Sequence, residues 1–257
     1  MKSIKEIDIK KVCLNILIEF DKICKKNNLR YSLAYGTAIG AVRHSGYIPW
    51  DDDIDVMMPR EDYDKLLRLF SNDSNYKLLC DSMPDYYYQY SKMIDSNYPI
   101  KEYNRKEKMM GLWIDIFPID YITEISSSKK IKKYLNFYNH AIWYSGIKKW
   151  TEKKTTKNKI IGLLIDFFGD RFFLKKHSLF IKKHCSRSGN ICFASASPNI
   201  VFFPYDVFDS IVGVDFEGYK MNLTAHYDDY LTEIYGRYMD LPPKEQQVAH
   251  HLFEFNY

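Results

Sequence analysis

No stretch of this chain is built to cross a bilayer, because none of its 257 residues falls within a run of eighteen apolar residues, about the length a spanning helix needs. The first residues, Met1 to Asp8, also lack the uninterrupted apolar core of a secretory leader. The expected location is therefore the cytoplasm. Five cysteines (Cys13, Cys24, Cys80, Cys185 and Cys192) make an odd count with no C-x-x-C pair and no zinc-type spacing, which argues against a disulfide framework or a structural zinc site. Internal repeats and low-complexity segments are absent as well. That excludes a solenoid or a disordered tail as the main architecture.

What remains is a chain with 46% apolar and 16% aromatic residues, enough to fill the core of one large domain. A single domain over 1–257 is expected. The net charge of +4 hides a strong division: residues 129–187 hold sixteen Lys or Arg against three acids, a net of +13, which leaves −9 for the rest. An acidic body thus bears a basic segment. The segment reads as a helical insertion whose most apolar part, Ile160 to Phe168, is too short to span a membrane. Lysines flanking such a helix are the composition that meets anionic headgroups at a membrane surface. No RNA- or DNA-binding motif accompanies the charge, so nucleic acid is not the expected partner.

Apolar residues recur at helical spacing over 4–26, and 29–35 reads as a short strand. Gly36-Thr37 then opens a segment of small residues, Ala38 to Val42, suited to a turn into a short helix that approaches something closely. Trp50 to Asp55 holds four carboxylates in five positions. Read as a strand, it places Asp51, Asp53 and Asp55 on one face, with Asp52 and Ile54 on the other. A helix is predicted after Pro59, strands over 86–94 and 112–116, a hairpin of 211–216 with 219–223, and a final helix over 227–238. The second of those strands carries Asp115 between Ile114 and Ile116.

Carboxylates this dense repel one another unless a cation neutralises them. A calcium loop starting at Asp51 fails at two diagnostic positions, with Val56 where glycine belongs and Asp62 where a bidentate glutamate belongs. A glycine-hydroxyl turn, a strand with alternating acids and a further strand acid sixty residues later instead form the set used in phosphoryl and nucleotidyl transfer. Asp53 and Asp55 are the candidate shared ligands of Mg²⁺ or Mn²⁺. Asp115 would complete the site or accept the proton of an attacking hydroxyl.

The run from Tyr35 to Tyr63, which includes Gly36-Thr37-Ala38-Ile39-Gly40-Ala41-Val42-Arg43-His44 and Trp50-Asp51-Asp52-Asp53-Ile54-Asp55, resembles the signature of the LicD family. The segments 114–120, 216–218 and 235–243 agree with it. The resemblance covers about 30–125 and 200–250, and includes fukutin and fukutin-related protein among the family's relatives. It implies an α/β (α+β) nucleotidyltransferase-like fold, a mixed sheet flanked by helices. It also implies a transferase that moves phosphocholine, or a related phospho-alcohol such as ribitol phosphate, from a CDP-linked donor such as CDP-choline. The implied acceptor is a hydroxyl of a cell-surface glycan such as lipopolysaccharide, teichoic acid or capsule.

On that template Gly36 and Thr37 match the phosphate-side turn, Asp53 and Asp55 the paired metal acids, Asp115 the third acid and Asp51 an additional ligand. Arg43 is a candidate for the donor phosphates. Arg60 is expected to hold its loop through Asp62. The aromatics of 86–90, around Lys92, suit either a core or a stacking surface. Two rival readings are an enzyme that makes the CDP donor, and a non-catalytic module binding an anionic glycan or lipid.

Overall fold

The structure, a computed structural model, describes residues 8–71, 74–107, 110–147, 155–197, 199–249 and 253–255. Helix α1 (Ile9–Lys26) starts at Asp8, whose side chain accepts from the Lys11 amide at 3.1 Å; residues 1–7 of the predicted helix lie outside the described residues. Strand β1 (Ser32–Leu33) is shorter than predicted because the chain turns at Tyr35, at φ 46°, directly into α2 (Tyr35–His44). Strand β2 (Asp55–Pro59) follows, then α3 (Arg60–Leu69), β3 (Tyr76–Leu79), β4 (Ser91–Asp95), β5 (Ile100–Glu102) and β6 (Leu112–Ile122). The basic segment forms α4 (Ser128–Ser145), α5 (Thr156–Phe168) and α6 (Phe172–His184). The chain then returns through β7 (Ile191–Ala194), the hairpin β8 (Ile211–Phe216) and β9 (Tyr219–Thr224), α7 (Tyr227–Tyr235) and β10 (Phe253–Phe255). Helix α7 ends before the predicted Tyr238 because Gly236 takes a positive φ of 69°.

The main sheet is mixed and flanked by helices, in the order β1-β2-β6-β4-β3, with β7 joining β6. Helix α1 packs on β6 and β4, and α3 on β2 and β6. This is the α+β nucleotidyltransferase-like arrangement that the sequence implies. One large core unites α1, the sheet, the hairpin and α7, while two smaller clusters lie largely under the basic helices.

Strand β6 is buried along all eleven residues yet contains Pro118. The Asp115 amide donates to the Ile54 carbonyl at 2.8 Å, so odd-numbered amides of β6 face β2 and even-numbered ones face away. On the far side β4 pairs only through Ile116, and β7 begins only at Ile119. Pro118, with no N–H to offer, sits in the gap between them. The same gap corrects the predicted strand over 86–94: continued backward from Ser91, β4 would meet Pro118, and Tyr86 to Tyr90 leave the sheet instead.

The acidic run is corrected for a related reason. Regular strand begins only at Asp55, because β1 pairs with Val56 and Met57 and, after Ala34 donates to the Asp55 carbonyl, turns away into α2. The chain from Asp51 to Ile54 therefore runs ahead of the strand, beside the start of α2.

Candidate active site

The parallel register of β2 and β6 sets Asp55 opposite Asp115, and the antiparallel register of β4 sets Lys92 opposite Asp115. One cross-strand row therefore reads Asp55, Asp115, Lys92. Lys92 Nζ donates to Asp115 Oδ1 at 2.6 Å, and both residues are buried. The ammonium also lies 4.3 Å from the ring centre of Trp113, 4.7 Å from Tyr88 and 5.4 Å from Tyr90. A carboxylate and three ring faces thus compensate a cation removed from water.

Immediately before this row, oxygens of Asp51, Asp52 and Asp53 all lie within 4.8 Å of one another. The alternation that would turn Asp52 away holds only inside a strand, so Asp52 joins the cluster that the sequence pattern had assigned to Asp51, Asp53 and Asp55. Asp51, Asp53 and Asp55 line one cleft of about 740 Å³. Burial, followed by the charges of Asp53, Asp115 and Asp51, pushes the Asp55 carboxyl well above the usual carboxylate range, with Lys92 opposing them. Hard oxygen donors gathered at such a cost are the chemistry that a divalent cation such as Mg²⁺ or Mn²⁺ takes. The clustered oxygens of Asp51, Asp52 and Asp53 could hold one, and Asp55 lines the same cleft.

Helix α2 sets the spacing of these acids. Thr37 Oγ1 accepts from the Asp55 amide at 2.8 Å, pinning the start of β2 to the first turn of the helix. A Cβ on Gly36 would stand 2.7 Å from Asp51 Oδ2, so the glycine is what lets Asp51 approach. At the other end, Arg43 Nη1 donates to the carbonyls of Tyr238 at 2.6 Å and Asp240 at 3.1 Å. Arg43 lines the cleft while fastening its C-terminal wall. The hairpin turn completes the frame: Glu217 Oε1 accepts from the Tyr47 amide at 3.0 Å, and the Glu217 amide donates to the Ser45 carbonyl at 3.0 Å. Glu217 and Gly218 both have positive φ, as a tight hairpin turn requires. Arg60 is structural as expected, although its bidentate partner is Asp120, at 2.7 Å twice, while Asp62 pairs with Arg30.

Three cleft residues escaped the sequence reading. Tyr35 lies at the start of α2, Tyr235 is the last residue of α7, and Arg237 follows two residues later. The segment 235–243 was visible as a motif, but nothing local revealed that it folds back over the acids. Lys92 escaped too, since its pairing depends on the register of two strands.

The family model described as LicD/FKTN/FKRP, nucleotidyltransferase domain, matches residues 28–163. The lipopolysaccharide cholinephosphotransferase LicD of Haemophilus influenzae is 30% identical over 265 residues, covering 99% of this chain and 98% of that protein. Uncharacterized proteins of Rickettsia prowazekii and Rickettsia typhi are each 49% identical over 41 residues, 16% of this chain and 15% or 13% of theirs. A family domain spanning more than half the chain, and a relative aligned nearly end to end, meet in the same acid-lined cleft: the chain belongs to the LicD family.

Proposed function

We propose that this protein transfers phosphocholine, or a related phospho-alcohol, from a CDP-linked donor to a hydroxyl of a cell-surface glycan. The observation that supports it is the convergence of Gly36, Asp51, Asp53 and Asp55 in one cleft, in a chain matched end to end by a lipopolysaccharide cholinephosphotransferase. In this reaction the acceptor oxygen bonds to phosphorus, the bond from phosphorus to the CMP oxygen breaks, and CMP leaves. Asp115, held by Lys92 beside Asp55, is the candidate to take the proton of the hydroxyl. The first turn of α2, at Gly36 and Thr37, has no side-chain cap, which suits it to donor phosphates. Arg43 is a cation lining the same cleft, as is Arg237.

A divalent cation bound by the acids would supply neutralisation of phosphate charge and polarisation of the phosphorus. Incubation of the purified protein with CDP-choline, a glycan acceptor and Mg²⁺ or Mn²⁺ should release CMP. Pyrophosphate from CTP, with no CMP from CDP-choline, would sink the assignment in favour of an enzyme that makes the donor. Thermal stabilisation by CDP-choline, CDP-ethanolamine, CDP-glycerol and CDP-ribitol ranks the transferred alcohols.

We propose further that the protein works against the inner face of an anionic membrane. No helix among the described residues is long and apolar enough to cross one. Helix α5 exposes Ile160, Leu163 and Phe167, three and four residues apart on one face, beside the exposed Lys157 and Lys159.

A further inference from the structure

A second pocket, of about 490 Å³, lies over the fork where β4 and β7 part beside Pro118. Its base is Phe117. In β6 this residue follows Asp115 by two positions, so the two side chains share a face about 7 Å apart along the strand. Tyr35, which lines the acid cleft, packs edge-on against Phe117 at 5.1 Å. The two cavities therefore adjoin across a single aromatic contact.

The outer wall comes from the basic segment. Asn136, Asn139, His140 and Trp143 line the pocket at positions i, i+3, i+4 and i+7 of α4, a single helical face. Asn139 is buried, and its Nδ2 donates to the carbonyls of Ser195 at 2.9 Å and Ser197 at 3.0 Å. Those two bonds fix the orientation of the amide. Its Oδ1 is left as a buried acceptor with no protein donor.

The chemistry of the walls selects the occupant. A quaternary ammonium group has no N–H or O–H for Asn139, and Tyr88 and Tyr90 already carry the protein's own cations. Lys92 lies over Tyr88 and Tyr90, and the Arg105 guanidinium lies 4.5 Å from the Tyr88 ring centre. A neutral sugar has what the pocket lacks: hydroxyl donors for Asn139 Oδ1 and C–H faces to lie on Phe117 and Trp143.

We propose that this pocket seats an uncharged pyranose unit of the acceptor glycan, with its hydroxyl directed toward Asp115. The inference rests on the transferase reading above and adds the location and chemistry of the acceptor subsite. The choline moiety of the donor is then bound elsewhere.

The test uses the whole protein, methyl glycosides of glucose, galactose, N-acetylglucosamine and N-acetylgalactosamine as probes, and saturation-transfer NMR as the binding readout. At least one glycoside should bind saturably to the wild type. Trp143→Ala, at a half-exposed position, should weaken that binding by about tenfold, while CDP-choline raises the melting temperature of both proteins equally. No saturable binding by any of the four, wild-type binding in Trp143→Ala, or displacement of the glycoside by choline chloride would each overturn the subsite. Loss of the CDP-choline shift in Trp143→Ala would assign the pocket to the donor and overturn it too. If wild-type protein releases no CMP from CDP-choline while the glycoside result holds, the transfer reaction fails and the sugar pocket stands.

Discussion

The acidic cleft and the basic helical segment treat charge in opposite ways. In the cleft, carboxylates separated by one or two residues are driven together: oxygens of Asp51, Asp52 and Asp53 share a 4.8 Å neighbourhood, and Asp55 pairs in register with Asp115. In α4 to α6, lysines spread outward and the helices close over two small apolar clusters, one their own and one shared with β6 and β7. The first region concentrates like charge, which Lys92 opposes at Asp55 and Asp115. The second is an ordinary solvated surface whose unusual features are the apolar face of α5 and the amide face of α4.

The sharpest way to break this contrast is to remove charge from the cleft. Asp53→Asn or Asp55→Asn should lower transfer by at least about 10²-fold while leaving the melting temperature unchanged or raised, because a repelling charge has gone. Wild-type turnover in either variant would show that the cluster is not catalytic.

Next in size is the buried pair. Lys92→Met leaves Asp115 beside Asp55 without its cation and should cost about 3–5 kcal/mol in urea denaturation. The double variant Lys92→Met/Asp115→Leu should regain most of that loss. A single variant as stable as the wild type would mean that the pair is not the electrostatic keystone of the row.

His177 tests the seam between the halves, since it sits on α6, is buried, and faces the Ser195 carbonyl at 3.4 Å. Burial pushes its imidazole down to about 4. Between pH 6.5 and about 4 the unfolded chain therefore binds a proton that the folded chain refuses. Stability contributed by neutral His177 is full above pH 6.5 and is lost as pH falls through that window, by up to about 3 kcal/mol. His177→Gln should flatten that part of the pH profile in thermal unfolding, and an unchanged slope would rule the histidine out.

The smallest expected change concerns the outer face. Leu163→Glu/Phe167→Glu should reduce cosedimentation with phosphatidylglycerol vesicles several-fold and leave CMP release in solution unaltered. Equal sedimentation of variant and wild type would remove α5 from any membrane contact.

The same contrast governs what could be read without coordinates. Asp51 to Asp55 lie side by side in the chain, so their convergence was legible, as were the helix after Gly36 and the strand around Asp115. The direction of Asp52 was not, because it depends on where β2 begins, and that is fixed by the two-residue length of β1. Lys92 looked like one more residue in a tyrosine-rich strand until the register of β4 set it opposite Asp115. The pocket was least visible of all: it draws on segments around 87–90, 102–105, 117, 136–143 and 196, which meet only after folding.

Pro118 has a consequence for how faithfully the chain folds. If β6 slipped by one residue against its neighbours, Asp115 would turn to the opposite face. The same slip would move the proline into a position whose amide must donate to β2, and a ladder bond would be lost. The misaligned sheet is thus penalised by a residue that takes no part in the chemistry, and the proline proofreads the alignment of the acids before any substrate arrives.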